Sequence, residues 1–137
     1  MVAVRTATTV RLASHRVALE SRAEDLERLL AAIGGDAEAT PPSVRELVAA
    51  GIPADVIDAA ARGGEIVRLS PDLVVTRGFA DRGLALVRAH AGDGVTVSAL
   101  REHLGTSRKY AVPLAEWMDA QGLTRRRGDL RFPREEG

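Results

Sequence analysis

Apolar residues recur at helical spacing in six segments of the chain. In residues 21–33, for example, Leu26, Leu29 and Ile33 fall on one helix face, and two glycines follow at the end of the segment. Two further helices are predicted to begin at Ser43, where Glu46 completes a capping box, and at Pro53. The last three predicted helices cover residues 79–92, 97–104 and 107–121.

Short apolar runs on either side of turn residues predict β-hairpins. One such run, EIVRLSPDLVV, turns at Ser70-Pro71-Asp72, and a second, LTRRRGDLRF in residues 123–132, turns at Gly128-Asp129. Alternating apolar and polar residues in 4–19 predict a further strand or hairpin.

The same order of elements occurs twice: helix, helix, turn, helix, hairpin. That order is typical of a winged helix-turn-helix. The sequence therefore predicts a mainly helical α+β fold of tandem winged helix-turn-helix domains, each with three helices and a small β-hairpin wing. We expect residues 1–20 to be the remnant of a preceding winged helix, 21–77 the penultimate repeat and 78–137 the last.

Composition argues against several classes of protein. There is no cysteine, and the three histidines, His15, His90 and His103, lack metal-ligand spacing, so no metal site is expected. No nucleotide-binding or hydrolase motif is present, which predicts a chain with no catalytic residues and no cofactor of its own. Without a long apolar run or a signal-cleavage pattern, the chain is expected to be cytoplasmic, with no membrane partner.

Charge is unevenly placed on a chain that is neutral overall. Residues 101–134 carry eight Lys or Arg and four acids, and this excess predicts a local anionic partner. The alternative is an ordinary solvated surface in an arginine-rich protein, because the chain has 18 arginines and a single lysine.

The segment from Gly105 to Tyr110 combines a glycine turn, two hydroxyls and two cations at the predicted start of a helix. Backbone N–H groups at a helix start, supported by Thr106, Ser107, Arg108 and Lys109, suit an anion. The alternative is a capped helix with solvated cations. Tyr110 falls on the predicted core face of this helix, and base stacking by its ring is the less favoured interpretation.

The predicted second wing carries Arg125, Arg126 and Arg127 before its turn and Arg131 after it. Strand alternation places Arg125 and Arg127 on one face and Arg126 on the other. Arginine makes paired hydrogen bonds to phosphate and guanine, so the wing is a candidate binding face. The alternative is a charged edge that discourages aggregation. The first predicted hairpin has only one arginine, so the basic wing is special to the second repeat.

Two runs in the second repeat, GTSRKYA-x-PL from Gly105 and TRR-x-GD from Thr124, resemble the last winged helix of the bacterial selenocysteine-specific elongation factor, SelB. Pro41-Pro42-Ser43-Val44 and Glu65-Ile66-Val67 are similar to the winged helix before it. The resemblance implies the C-terminal part of a translation GTPase that grips an mRNA hairpin beside a UGA codon.

The resemblance also implies the partners of this chain. These are an mRNA stem-loop and, through the parent factor, the ribosome; GTP would bind domains that lie outside this sequence, and the chain is expected to be a monomer. The implied RNA contacts are Thr106, Ser107, Arg108, Lys109, Tyr110, Arg125, Arg126, Arg127 and Arg131.

Two other functions fit the same fold. A DNA-binding regulator would prefer duplex DNA and would usually dimerise. A protein-docking module is the second alternative, because winged helices also serve as adaptors and the first repeat lacks the basic wing.

Overall fold

The computed structural model describes residues 20–134, and the strand predicted in residues 4–19 lies outside this part. Helix α1 covers residues 20–33 and is followed by a 3₁₀ turn, Gly35–Ala37. The remaining elements are α2 (Val44–Ala49), α3 (Ala54–Arg62), β1 (Ile66–Ser70), β2 (Leu73–Thr76), α4 (Arg77–Ala89), β3 (Val95–Thr96), α5 (Val97–Leu104), α6 (Arg108–Ala120), β4 (Thr124–Arg127) and β5 (Leu130–Pro133). The prediction of a mainly helical α+β protein is confirmed.

Local capping signals fix most helix starts. The capping box at α2 is present, with the Ser43 hydroxyl accepting from the N–H of Glu46 at 3.1 Å. Helix α4 starts at Arg77, two residues before the predicted start, because the Thr76 hydroxyl accepts from the N–H of Phe79 at 3.1 Å. Pro53 is the N-cap residue of α3 rather than its first helical residue.

The strands form two antiparallel sheets. Strands β1 and β2 make a two-stranded hairpin, as predicted, in which Val67 lies opposite Val75. The second sheet has three strands in the order β3-β5-β4. Residues 95–96, for which no strand was predicted, pair with β5 and anchor the second hairpin to the body of the fold.

Two hydrophobic clusters share the first hairpin. The first core lies among α1, α2 and α3 and includes Ile66 and Val74 of the hairpin. The second core lies among α4, α5 and α6 and includes Val67 and Val75. Because successive side chains of a strand point to opposite faces, the β1–β2 hairpin is packed on both sides. The hairpin therefore connects two units of the fold. The first unit runs from α1 through β2, and the second runs from α4 through β5.

This packing explains why the two hairpins differ in charge. A strand that is covered on both faces reads as an apolar run, because a charged side chain there would have to be desolvated. Four residues of the β1–β2 hairpin are at most 5 % exposed: Ile66, Val67, Val74 and Val75. The second hairpin keeps one face open, and its arginines at 125–127 are exposed.

Candidate nucleic-acid interface

The connection between α5 and α6 is a tight turn at Gly105. Gly105 has a φ of +65°, and its N–H bonds to the carbonyl of Glu102 at 3.2 Å. The N–H of Thr106 bonds to the carbonyl of Arg101 at 3.1 Å. This is the Schellman arrangement, which favours glycine in the left-handed position. The turn leaves Ser107 as the N-cap residue of α6.

The start of α6 presents a hydroxyl and two cations to solvent. Ser107 makes no side-chain capping bond, and Ser107, Arg108 and Lys109 are all exposed. The Lys109 ammonium lies 5.5 Å from the centroid of the Tyr110 ring, a cation–π contact that limits where the lysine can reach. The first N–H groups of a helix have no partner within the helix, so this end can receive an anion.

Two of the predicted RNA contacts instead hold the first unit. The Thr106 hydroxyl donates to the carbonyl of Ala39. The Tyr110 hydroxyl donates to the carbonyl of Pro41 at 2.9 Å, and Tyr110 is only 6 % exposed. Both hydroxyls would have to leave buried or half-buried carbonyls to reach RNA. Thr106 and Tyr110 therefore belong to the contact between the two units rather than to the candidate interface.

The second wing divides its arginines between two faces, as strand alternation predicts. Arg126 lies opposite Arg131 in the β4–β5 ladder, and Arg125 lies opposite Phe132. The Arg125 guanidinium stands 5.6 Å from the Phe132 ring centroid. The Nε of Arg126 donates to the Gly128 carbonyl at the wing turn at 2.8 Å. This bond fixes the direction of Arg126 and leaves its terminal nitrogens unbonded among the described residues.

Arg131 points inward and is held by a carboxylate of α6. Its Nε and Nη2 donate to Oδ2 of Asp119 at 3.2 and 3.1 Å, and its side chain is 7 % exposed. The other carboxylate oxygen accepts from the Thr124 hydroxyl at 2.6 Å. Arg131 is therefore first a structural residue that ties the wing to α6, which the sequence did not indicate.

One polar cleft lies between the second wing and the starts of α5 and α6, and three arginines line it. It has a volume of about 460 Å³ and is lined by Arg108, Arg126 and Arg131, together with the start of α5 at Thr96, Val97 and Ser98, and by Asp129. Arg108 comes from the start of α6 and Arg126 from β4, so two elements converge on one concave surface. Two outward guanidinium groups beside two helix starts suit phosphate oxygens.

The structure thus joins some predicted residues and separates others. Arg108, Arg126 and Arg131 meet in the cleft, with Ser107 next to it in sequence. Arg125 and Arg127 lie on the opposite face of β4 and do not line the cleft. A single surface made of all the predicted cations, as the sequence suggested, is therefore not what the chain forms.

Several residues of this region were not predicted as site residues. Ser98 and Asp129 line the cleft, and Asp119 holds Arg131. A signal was present for Ser98, because Thr96 caps α5 through the N–H of Ala99 at 3.0 Å and so places Ser98 in the first turn. Asp119 gave no such signal, since 12 residues separate it from its partner.

Two further observations concern residues 20–134. Within that range, no group of three His, Asp or Glu side chains is arranged to hold a metal ion. No helix there has the length and apolar character needed to cross a membrane.

Comparison with known proteins finds a family model that matches part of this chain. Residues 86–132 match the family model of the elongation factor SelB winged helix. No curated protein matches the sequence.

Two solved structures are similar to this chain. One is a bacterial selenocysteine-specific elongation factor, EF-Sec, with 26 % identity and a TM-score of 0.66 over 82 % of this chain and 18 % of that one. The other is the mRNA-binding domain of elongation factor SelB from E. coli in complex with SECIS RNA. It has 22 % identity and a TM-score of 0.62 over 82 % of this chain and 98 % of that domain. At this identity, the likeness is evidence only for the fold of this chain. This chain therefore spans under a fifth of the elongation factor. The predicted resemblance to the C-terminal winged-helix region of SelB is confirmed.

Proposed function

We propose that this chain, with its resemblance to the C-terminal winged-helix region of SelB, binds an mRNA stem-loop through the cleft of its second unit. The repeated element order supports two winged helices in tandem, with boundaries near those expected from the sequence, 21–77 and 78–137. The stem-loop would be a selenocysteine insertion element, like the SECIS RNA bound by the E. coli domain.

The observation that carries this proposal is the convergence of Arg108 and Arg126 on one cleft beside the start of α6. A hairpin offers closely spaced phosphates on its stem and unstacked bases in its loop. Two arginines that line one cleft can each pair with a phosphate and fix the register of the RNA. The exposed Ser107, which precedes Arg108 at the start of α6, offers a further hydroxyl for a hydrogen bond.

Asp129 gives the cleft a selective element. A carboxylate repels a phosphate but accepts a hydrogen bond from a ribose 2′-hydroxyl or an exocyclic amino group. Because Asp129 lines the same cleft as the arginines, a ligand must place a donor there while its phosphates meet Arg108 and Arg126. This requirement favours a shaped RNA loop over an arbitrary polyanion.

In the parent factor this binding would tether a translation GTPase to its message for UGA recoding. GTP hydrolysis and contact with the ribosome would belong to the whole factor in the cytoplasm, while this region acts as a non-catalytic monomer. The first unit would support the second, because Thr106, Tyr110 and the β1–β2 hairpin fasten the two together.

Titration of variants with RNA hairpins tests the proposal. RNA is selected from a hairpin library with a randomised loop, and binding is measured by fluorescence anisotropy at several salt concentrations. We expect Arg126→Ala to weaken binding about tenfold or more, because it removes a charged hydrogen bond. The slope of log affinity against log salt concentration should become shallower by about one, which corresponds to the loss of one phosphate contact.

Arg127→Ala is the matched control. It removes the same charge from the next residue of the same strand but on the opposite face, so we expect a change within about threefold after screening by salt. Equal losses in both variants would mean that the wing acts only by general charge. A clear preference for duplex DNA of matched length over every hairpin would favour the DNA-binding alternative and refute the proposal.

A further inference from the structure

A second cationic cleft lies where the two units meet, away from the first. It has a volume of about 380 Å³ and is bounded by the end of α3, strand β1, the start of α4 and the end of α6. Its charged side chains are Arg62, Arg68 and Arg77, and among the described residues no carboxylate lines it. Trp117 and Gln121 form the α6 side.

This second cleft is separate from the first along and around α6. Trp117 is nine residues after Arg108, which is a rise of about 14 Å along the helix axis and a rotation of about half a turn. The two residues therefore lie on opposite faces of α6. A ligand in one cleft does not occupy the other, and the two can be tested independently.

The arginines of the second cleft are only partly neutralised. Arg68 pairs with Asp58 at 2.9 Å and Arg77 with Asp81 at 3.1 Å, both at the surface. Arg62 makes no ion pair with any other residue in 20–134. Arg68 and Arg77 thus keep N–H donors that their ion pairs do not use, and Arg62 keeps all of its N–H donors.

Arg68 also carries an unsatisfied donor. Its Nε is buried without a hydrogen-bond partner, and it is the one such buried side-chain atom within the described part of the chain. Buried donors are nearly always paired in folded proteins, and an orphan calls for an explanation. Arg68 also lines the cleft, so an anion bound there would lie beside the residue that carries this unsatisfied donor.

Trp117 decides which kind of anion fits. Its side chain is half-buried at the edge of the second core and also lines the cleft. Arginines beside an accessible aromatic ring are the arrangement by which proteins hold single-stranded nucleic acid, with phosphates on the cations and a base on the ring. An acidic peptide would use the arginines but has no group that requires the indole.

We propose that the cleft of Arg62, Arg68, Arg77 and Trp117 is a second anion-binding site, which takes the phosphodiester backbone of a single-stranded RNA segment with an unpaired base against Trp117. The site goes beyond the stem-loop proposal and does not rest on it. In a longer RNA it would engage the strand that leaves the hairpin, or a separate RNA.

The chain offers a direct probe, because Trp117 is its single tryptophan. The full chain is titrated with an oligouridylate of about eight nucleotides, a length within the usual range for single-strand sites, while tryptophan fluorescence is followed. We expect saturable quenching that weakens as salt is raised. The double variant Arg62→Ala, Arg77→Ala should weaken binding at least about tenfold, while circular dichroism stays unchanged because both side chains are exposed.

Three outcomes of the titration with oligouridylate alone would overturn the proposal. One is the absence of a fluorescence change with oligouridylate. Another is equal quenching in the Arg62/Arg77 variant, and a third is loss of quenching in Arg108→Ala, Arg126→Ala, which would place the signal in the first cleft. Hexaglutamate is the competitor: displacement of oligouridylate at equal concentration would reassign the cleft to acidic peptides. If the unchanged chain binds no RNA hairpin but its tryptophan fluorescence is still quenched by oligouridylate, only the stem-loop proposal is rejected.

Discussion

Replacing Asp119 by alanine removes the carboxylate that holds the second wing to α6. Three hydrogen bonds end on this group, two from the Arg131 guanidinium at 3.2 and 3.1 Å and one from the Thr124 hydroxyl at 2.6 Å. The Arg131 side chain is only 7 % exposed, so water cannot replace the lost acceptor without a movement of the wing. The variant therefore leaves a nearly buried cation unpaired.

The cost follows from that burial. Removing one partner of a buried ion pair costs about 3–5 kcal/mol, because the remaining charge keeps its desolvation penalty without compensation. Asp119 itself is 26 % exposed, which favours the lower half of the range. We expect a loss of about 3 kcal/mol in the free energy of unfolding, measured by urea denaturation. A fall of roughly 10 °C in Tm should accompany it.

A second variant separates the charge from the packing. Asp119→Leu combined with Arg131→Met removes both charges and fills a similar volume, but the buried Thr124 hydroxyl still loses its acceptor. We therefore expect the double variant to lose about 1–2 kcal/mol, less than Asp119→Ala alone. If Asp119→Ala alone costs less than about 1 kcal/mol, the pair is not holding the wing. RNA binding by the double variant then shows whether Arg131 also touches the ligand, because the wing is retained and only the cation is lost.

Two further predictions concern contacts between elements. Tyr110→Phe removes the donor to the buried Pro41 carbonyl and should cost about 1–2 kcal/mol in urea denaturation; unchanged stability would show that this bond does not fasten the units. Gly94→Ala should cost about 3 kcal/mol, because Gly94 has a φ of +80° and an added Cβ would lie 2.8 Å from Cζ of Phe132. Gly92→Ala is its control, since a Cβ there meets nothing within 4 Å, and equal thermal shifts for the two would contradict the steric argument.

Much of the fold could be predicted from local signals. Helix α5 lies at the predicted residues 97–104, and the capping box at Ser43 and the turn at Ser70-Pro71-Asp72 are present as expected. Each depends on residues within a few positions of one another, so the sequence carries the whole cause. Shifts of two or three residues at helix ends, as in α4, come from caps whose strength relative to their neighbours is not visible in the pattern.

The sequence by itself determined the element order, the two hairpins and the basic charge of the second wing, because those depend on periodicity, turn chemistry and composition. Only the tertiary structure decided which cations share a surface. Arg126 and Arg131 are chemically identical residues of one hairpin, and both line the cleft. Arg131 is bonded to Asp119, whereas the terminal nitrogens of Arg126 have no partner among the described residues. Likewise Tyr110 meets Pro41, a partner 69 residues away. Residues that are far apart in sequence come into contact only in the folded chain. Only the tertiary structure therefore shows which side chain bonds to such a partner and which remains available to a ligand.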